Sequence, residues 1–259
     1  MKQGISLQTQ IPLRLQPSEK SEMVSQVLFG ETFNISEING SWTKITLHDD
    51  QYPGWVDGKM ITALSDEGIT RIRNTSSHYV SNLYFSELTP KGRIVLSPGS
   101  KIPTEIIDDH VFFDDFKLNV NKLPFIADPN KKDIVESAEK WMNSPYLWGG
   151  KTPFGFDCSG YVQVIFKTLG ILIPRDASQQ ATTGYSIDFL SAAEPGDLAF
   201  FDNQDGAITH VGIIHSDGNI IHCSGNVKID RIDQQGIYDR LLSKYTHHLR
   251  LIRRIYPKE

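Results

Sequence analysis

The chain has 259 residues, 39% of them hydrophobic, 10% aromatic and 22% charged, a globular composition with ample material for a core. Lys and Arg number 26 against 31 Asp and Glu, a formal net charge of −5, so no basic surplus exists to draw in nucleic acid or anionic lipid. No run of about 18 apolar residues is present, which excludes a membrane-spanning helix. Two cysteines, Cys158 and Cys223, exclude a disulfide framework and a four-cysteine zinc site. The first residues, Met1 to Gln8, carry no apolar stretch of the secretory type. A cytoplasmic setting is expected on that basis, with a periplasmic or secreted one as the alternative if a signal has been removed.

Residues 1–64 read as short strands. Leu13-Arg14-Leu15, Thr32 to Ser36 and Trp42 to Leu47 alternate polar and apolar, Trp55-Val56 continues them, and Gly40, Pro53 and Gly54 punctuate. That spacing predicts a small β-barrel. Residues 65–125 carry weaker strand patterns at Gly92 to Leu96 and His110 to Phe113, with Ser97-Pro98-Gly99-Ser100 as a turn. They predict a second small β-domain or an ordered linker. Residues 126–259 form the third region. Asp128 and Pro129 suit a helix start. Ile134, Val135, Ala138, Trp141 and Met142 recur at helical spacing, and Pro145 ends the pattern.

A second helix opens at Asp157-Cys158-Ser159-Gly160 and runs to a Gly170 cap. Cys158 then sits in the first turn, where the helix dipole favours thiolate, and Asp157 is placed to cap that turn. Glycines on both sides suit backbone N–H groups converging on one point. A thiol nucleophile needs a base in reach. Thr209 to His215 reads as a strand and Asn219 to His222 as its return. A two-residue turn would put His210 and His222 on opposite faces. A three-residue loop, Ser216-Asp217-Gly218, pairs Gly212 with His222 and puts both histidines on one face. Gly218 at the left-handed position favours the second geometry. One imidazole then faces the thiol and the other orients it. His215, His247 and His248 read as solvated surface. No HExxH pattern accompanies Cys158, His210 and His222, so neither metal nor cofactor is expected.

The same region resembles the NlpC-type family of papain-like bacterial cell-wall cysteine peptidases. The matching stretches are Pro145-Tyr146-Leu147-Trp148-Gly149-Gly150, Phe156-Asp157-Cys158-Ser159-Gly160, Ile173-Pro174-Arg175-Asp176 with Gln179-Gln180, Pro195-Gly196-Asp197-Leu198, His210-Val211-Gly212-Ile213 and Ile221-His222. The resemblance implies an α+β architecture, with a papain-like peptidase domain at 126–259 behind one or two SH3-like barrels. It implies Cys158 as nucleophile, His210 as general base, His222 as its orienting partner and Tyr146 beside the oxyanion.

Asp49-Asp50-Gln51-Tyr52-Pro53-Gly54-Trp55 resembles a narrower subgroup that joins SH3-like domains to the peptidase and cleaves γ-D-glutamyl bonds to a diamino acid. That likeness implies Asp50 or Asp49, Tyr52, Asp176, Asp157 and Ser159 as readers of a free substrate amine. Gln51 between the acids and Tyr52, and Ala177 where relatives carry serine, depart from the pattern. The implied partner is a murein tri- or tetrapeptide acted on by a monomer, with no nucleic acid and no membrane. The rival readings are a wall-binding protein without activity, and an amidase or acyltransferase on the same fold.

Overall fold

Period-two burial builds the N-terminal strands. In the computed structural model, which describes residues 2–86, 92–114, 116–126, 132–216 and 218–256, Thr43, Ile45 and Leu47 point inward while Trp42, Lys44 and Thr46 stay partly exposed. Seven strands, β1 (Lys2–Ile5), β2 (Gln10–Arg14), β3 (Met23–Leu28), β4 (Thr32–Asn39), β5 (Trp42–Leu47), β6 (Pro53–Asp57) and β7 (Thr62–Ala63), join in one antiparallel sheet of order β3-β2-β6-β5-β4-β1-β7. Ile11, Leu13, Val27, Phe33, Ile45, Leu47 and Val56 fill it.

A helix follows that the strand-like patterns did not announce. It is α1 (Asp66–Asn74), capped by the Ser65 hydroxyl, which accepts from Gly68 N–H at 3.0 Å. Three two-stranded ladders come next: β8 (Ser77–Tyr79) with β11 (Lys101–Pro103), β9 (Tyr84–Phe85) with β10 (Val95–Leu96), and β12 (His110–Phe113) with β13 (Phe116–Asn119). Val80, Leu96, Ile102, Val111, Phe113 and Leu118 pack in one core with Ile5 of β1 and Phe29, just after β3. Phe29 meets Phe113 edge-on, with centroids 5.5 Å apart. Residues 65–125 therefore share a core with the first strands. Together they make one compact unit, Met1–Asp128 with Gly170–Leu172.

The second unit is Pro129–Leu169 with Ile173–Glu259. Its first helix, α2 (Lys132–Glu139), is shorter than the apolar spacing predicts. Trp141 and Met142 form a tightened turn, and Asn143 turns left-handed at φ 67°. The chain then pairs beside residue 226, where the Asn143 N–H donates to Val227. The expected start at Asp128 and Pro129 lies outside the described residues. A short hairpin, β14 (Lys151–Thr152) and β15 (Gly155–Phe156), leads into α3 (Cys158–Thr168) and α4 (Ala177–Gln180). Seven strands follow: β16 (Tyr185–Ile187), β17 (Leu198–Asp202), β18 (Ile208–Ile214), β19 (Asn219–Ser224), β20 (Asn226–Ile232), β21 (Gly236–Asp239) and β22 (Lys244–Arg254). They run in the order β16-β22-β17-β18-β19-β20-β21, and β22 also pairs with β21, so β17 to β22 close into a ring. Every residue of α3 is buried, and the helix lies against β18 and β19.

Close approach fixes the start of α3. A Cβ on Gly160 would stand 2.3 Å from the Gly150 carbonyl oxygen and 2.9 Å from Asp157 Oδ1. Gly160→Ala should therefore lower stability by about 1–3 kcal/mol, read as a lower calorimetric midpoint; an unchanged midpoint contradicts this packing.

Candidate active site

Asp157 organises the entry to α3. As N-cap it accepts from Gly160 N–H at 2.6 Å through Oδ1, and its Oδ2 accepts from Gly149 N–H at 2.9 Å. Arg175, 1% exposed, donates to both oxygens, through Nη1 to Oδ1 at 3.1 Å and through Nη2 to Oδ2. The same guanidinium donates to Ser159 Oγ at 2.8 Å, and Ser159 donates to Asp157 Oδ1 at 3.4 Å. Both Asp157 oxygens are thus committed to the chain itself. Asp157 and Ser159 are tied into this network with Arg175.

Cys158, the first residue of α3, faces the Thr209 carbonyl oxygen at 4.0 Å. It lines a cavity of about 360 Å³ with Tyr146, Thr209, His210, Cys223 and His247. Burial and the Asp157 carboxylate push its thiol up to about 11, against the pull of the Val211 and Ser159 backbone N–H groups and of Arg175. The helix start alone favours thiolate, but burial beside a carboxylate wins. Tyr146 lies 36% exposed at the cavity. Burial, then Cys158 and Asp157, push its phenol up to about 12, so it stays protonated and able to donate.

The two histidines meet as the three-residue loop predicts. Gly218 has φ 73°, and Gly212 pairs with His222; Asp217 of the same loop lies outside the described residues. His210 Nε2 and His222 Nδ1 are 2.9 Å apart, and His222 Nε2 stands 3.1 Å from Asp230 Oδ2. Burial, then repulsion from His222, His247 and Lys228, holds the His210 imidazole well below its ordinary value. Burial likewise lowers His222, although Asp230 opposes the shift.

One expectation is corrected here. His247 is not solvated surface. It stacks on His210 with centroids 4.1 Å apart and planes 28° apart, and burial lowers it to about 4. His215 and His248 instead pair with Glu139 and Asp202, both across strand or helix neighbours. The surface reading of His247 failed because β22 returns beside β17, a pairing far apart in sequence. Asp230 and Arg175 were missed for the same reason: their partners lie 8 and 18 residues away.

Ligand atoms of His210, His222 and His247 lie within 4.8 Å of one another. An ion must sit in the plane of each ring, about 2.0–2.1 Å from nitrogen for zinc. The nearly parallel stack of His210 on His247 keeps those in-plane lone pairs from converging, so the arrangement does not suit a metal.

The remaining candidates divide between the units. Asp176 stands at the start of α4, partly exposed, and makes no side-chain cap there. Asp49, Asp50 and Tyr52 belong to the N-terminal unit. Asp49 Oδ1 accepts from Lys101 Nζ at 2.6 Å. Asp50 Oδ1 accepts from Tyr52 N–H at 3.0 Å, closing a turn through Gln51 at φ 59°. Tyr52 packs against the barrel core.

Comparison with known proteins places this geometry. Residues 143–246 match the NlpC/P60 family and residues 13–61 the bacterial dipeptidyl-peptidase SH3 domain. The chain is 29% identical to the γ-D-glutamyl-L-lysine dipeptidyl-peptidase of Bacillus cereus, over 78% of this chain and 67% of that one. It is 31% identical to the protein of the same name from Bacillus subtilis, over 76% and 71%. A crystal structure of an NlpC/P60 family protein from Bacillus cereus superposes with a TM-score of 0.81, at 22% identity, over 98% of this chain and 100% of that one. With a buried cysteine at a helix start, a histidine pair in the same unit and an SH3-like region ahead of them, the chain belongs to the NlpC/P60 family of cysteine peptidases.

Proposed function

We propose that the chain hydrolyses the bond between the γ-carboxyl of D-Glu and the α-amine of the following diamino acid in murein tri- or tetrapeptides that carry a free N-terminal L-Ala. The observation that carries the reading is the cavity shared by Cys158, His210 and Tyr146, in a chain similar over most of its length to two γ-D-glutamyl-L-lysine dipeptidyl-peptidases.

The electrostatics favour a neutral starting pair. A thiol at about 11 is not ionised at neutral pH, and a histidine held well below its ordinary value is unprotonated. His210 therefore takes the Cys158 proton as sulfur attacks the γ-glutamyl carbonyl carbon. The oxyanion forms at the α3 N-terminus, where first-turn N–H groups lack intrahelical partners, and the Tyr146 hydroxyl donates to it. His210, now an imidazolium with a depressed pKa, is a strong acid. It protonates the departing amine, the C–N bond breaks and a thioester remains. Water, deprotonated by His210, attacks the thioester; L-Ala-D-Glu leaves and the thiol is restored.

Within the peptidase unit, amine recognition is assigned to Asp176, partly exposed at the start of α4. A cationic amine leaving water needs a carboxylate partner.

Cys158→Ala should cut release of L-Ala-D-Glu from L-Ala-γ-D-Glu-diaminopimelate by at least about 10³-fold. Mass spectrometry of the products reads this, and hydrolysis at the wild-type rate would end the mechanism. N-acetylation of the substrate should abolish cleavage, while Asp176→Asn should raise KM about tenfold, the loss of roughly 1.4 kcal/mol of binding, with kcat nearly unchanged. Equal cleavage of free and acetylated peptides would remove the amine-reading assignment.

The pH profile has a definite sign. The neutral form of His210 is the active one, and its pKa lies below the ordinary 6.5. Thus kcat/KM should stay level as pH falls from about 7 past 6.5 and drop only on the more acid side. Alkylation of Cys158 by iodoacetamide should rise about tenfold per pH unit between 7 and 9, because its thiol titrates near 11. A plateau in alkylation already at pH 6 would show a preformed thiolate instead.

A further inference from the structure

We infer that Asp230, anchored by Lys228, is a positioning residue that sets on which nitrogens the protons of the histidine pair reside. The inference rests on His210 acting as the base.

The argument starts at the carboxylate. Burial acts to raise Asp230, but hydrogen bonds from His222 and Lys228 outweigh it and hold its carboxyl below the usual range. An ionised carboxylate only accepts. Asp230 Oδ2 lies 3.1 Å from His222 Nε2, so Nε2 carries the proton. His222 is buried and held below its ordinary value, hence neutral with a single N–H. Its Nδ1 is then a lone pair. That lone pair faces His210 Nε2 at 2.9 Å, so His210 Nε2 must donate. His210 is also neutral and has one N–H. Its Nδ1 is therefore the unprotonated atom, the one left to accept a proton from Cys158. Each assignment follows from the one before, and the first follows from Asp230.

Lys228 makes this arrangement one-sided. Its Nζ lies 2.9 Å from Asp230 Oδ2, the oxygen that also meets His222, and 2.9 Å from Asp239 Oδ2. The ammonium fixes the carboxylate. With the carboxylate gone, that same cation would favour a lone pair on His222 Nε2. The proton would then move to His222 Nδ1, the His210 Nε2 would become the acceptor, and His210 Nδ1 would carry hydrogen. In that register the pair offers the thiol no base.

Position and spacing explain why Asp230 reaches this far. His222 pairs with Lys228 across the β19–β20 ladder, and Asp230 lies two residues further along β20. Residues two apart share a face of a strand, so Lys228 and Asp230 flank His222 on its own side.

The test uses the full chain labelled with ¹⁵N-histidine, with nitrogen shifts read by NMR beside steady-state kinetics. Wild-type protein should show the proton on Nε2 of both His210 and His222. Asp230→Ala should move the His222 proton to Nδ1 and lower kcat tenfold or more, up to the ~10⁴-fold of an inverted histidine tautomer, with KM within about twofold. Asp230→Asn, whose amide oxygen still accepts beside Lys228, should keep the wild-type nitrogen shifts and most of kcat. The inference is overturned by a wild-type His222 protonated on Nδ1, by an Asp230→Ala protein with wild-type shifts or wild-type kcat, or by an Asp230→Asn protein with the inverted shifts. Should Asp230→Ala fail to fold, the wild-type and Asp230→Asn spectra decide alone. A wild-type protein that shows Nε2–H on both histidines yet leaves γ-glutamyl peptides intact would support the proton register and sink the substrate reading.

Discussion

The buried pair of Arg175 and Asp157 is the interaction on which the peptidase unit depends. One carboxylate caps α3, ties down the Gly149 loop and neutralises a buried guanidinium. The Arg175 and Asp157 side chains are 2% and 8% exposed, so removing either partner strands a buried charge, a loss of about 3–5 kcal/mol. Because Cys158 is the next residue, everything that holds Asp157 also fixes where the sulfur stands. Ser159, bonded to the same guanidinium, locks the other side of the cysteine.

That arrangement has a chemical cost. A carboxylate beside a buried thiol resists its ionisation, and here it helps push Cys158 up to about 11. The carboxylate that caps this turn therefore opposes thiolate formation at Cys158. The histidines resolve the conflict from the other side of the cavity. Burial, His222 and His247 hold His210 low, so in the proposed mechanism an unprotonated base is present to take the proton at the moment of attack. His247 stacks on His210, and its charge adds to the burial that keeps His210 low.

Much of this was legible in the residue order, and for local reasons. Gly218 in the left-handed region dictates the β18–β19 loop, and the loop dictates that His222 stands opposite Gly212 and beside His210. Asp157 and Gly160 announce a helix start. What escaped is non-local. The shared core of residues 65–125 with Ile5 and Phe29 leaves no trace in a weak strand pattern. α1 escaped because its polar sequence presents few apolar positions. α2 stops early because the tightened turn at Trp141 and Met142 and the left-handed Asn143 carry the chain to Val227, an event at the far end of the unit. His247 reads as one more surface histidine until β22 is seen to close the ring.

Closure of that ring is also what makes a relay out of separate residues. β18 supplies His210, β19 His222, β20 Lys228 and Asp230, β21 Asp239 and β22 His247. Five consecutive strands each place at least one polar side chain into a single hydrogen-bonded and stacked group. In a low-dielectric interior such a group is tolerated only when every member is satisfied. Satisfaction leaves few ways to arrange the hydrogens. His222 has an acceptor on one nitrogen and His210 on the other, and Lys228 is bound between two carboxylates. The requirement that no buried donor face another donor is therefore a stability constraint and, in the proposed mechanism, a catalytic one together. The same rule that lets these side chains be buried leaves His210 Nδ1 as the one nitrogen of the pair not already committed to a neighbouring imidazole or carboxylate.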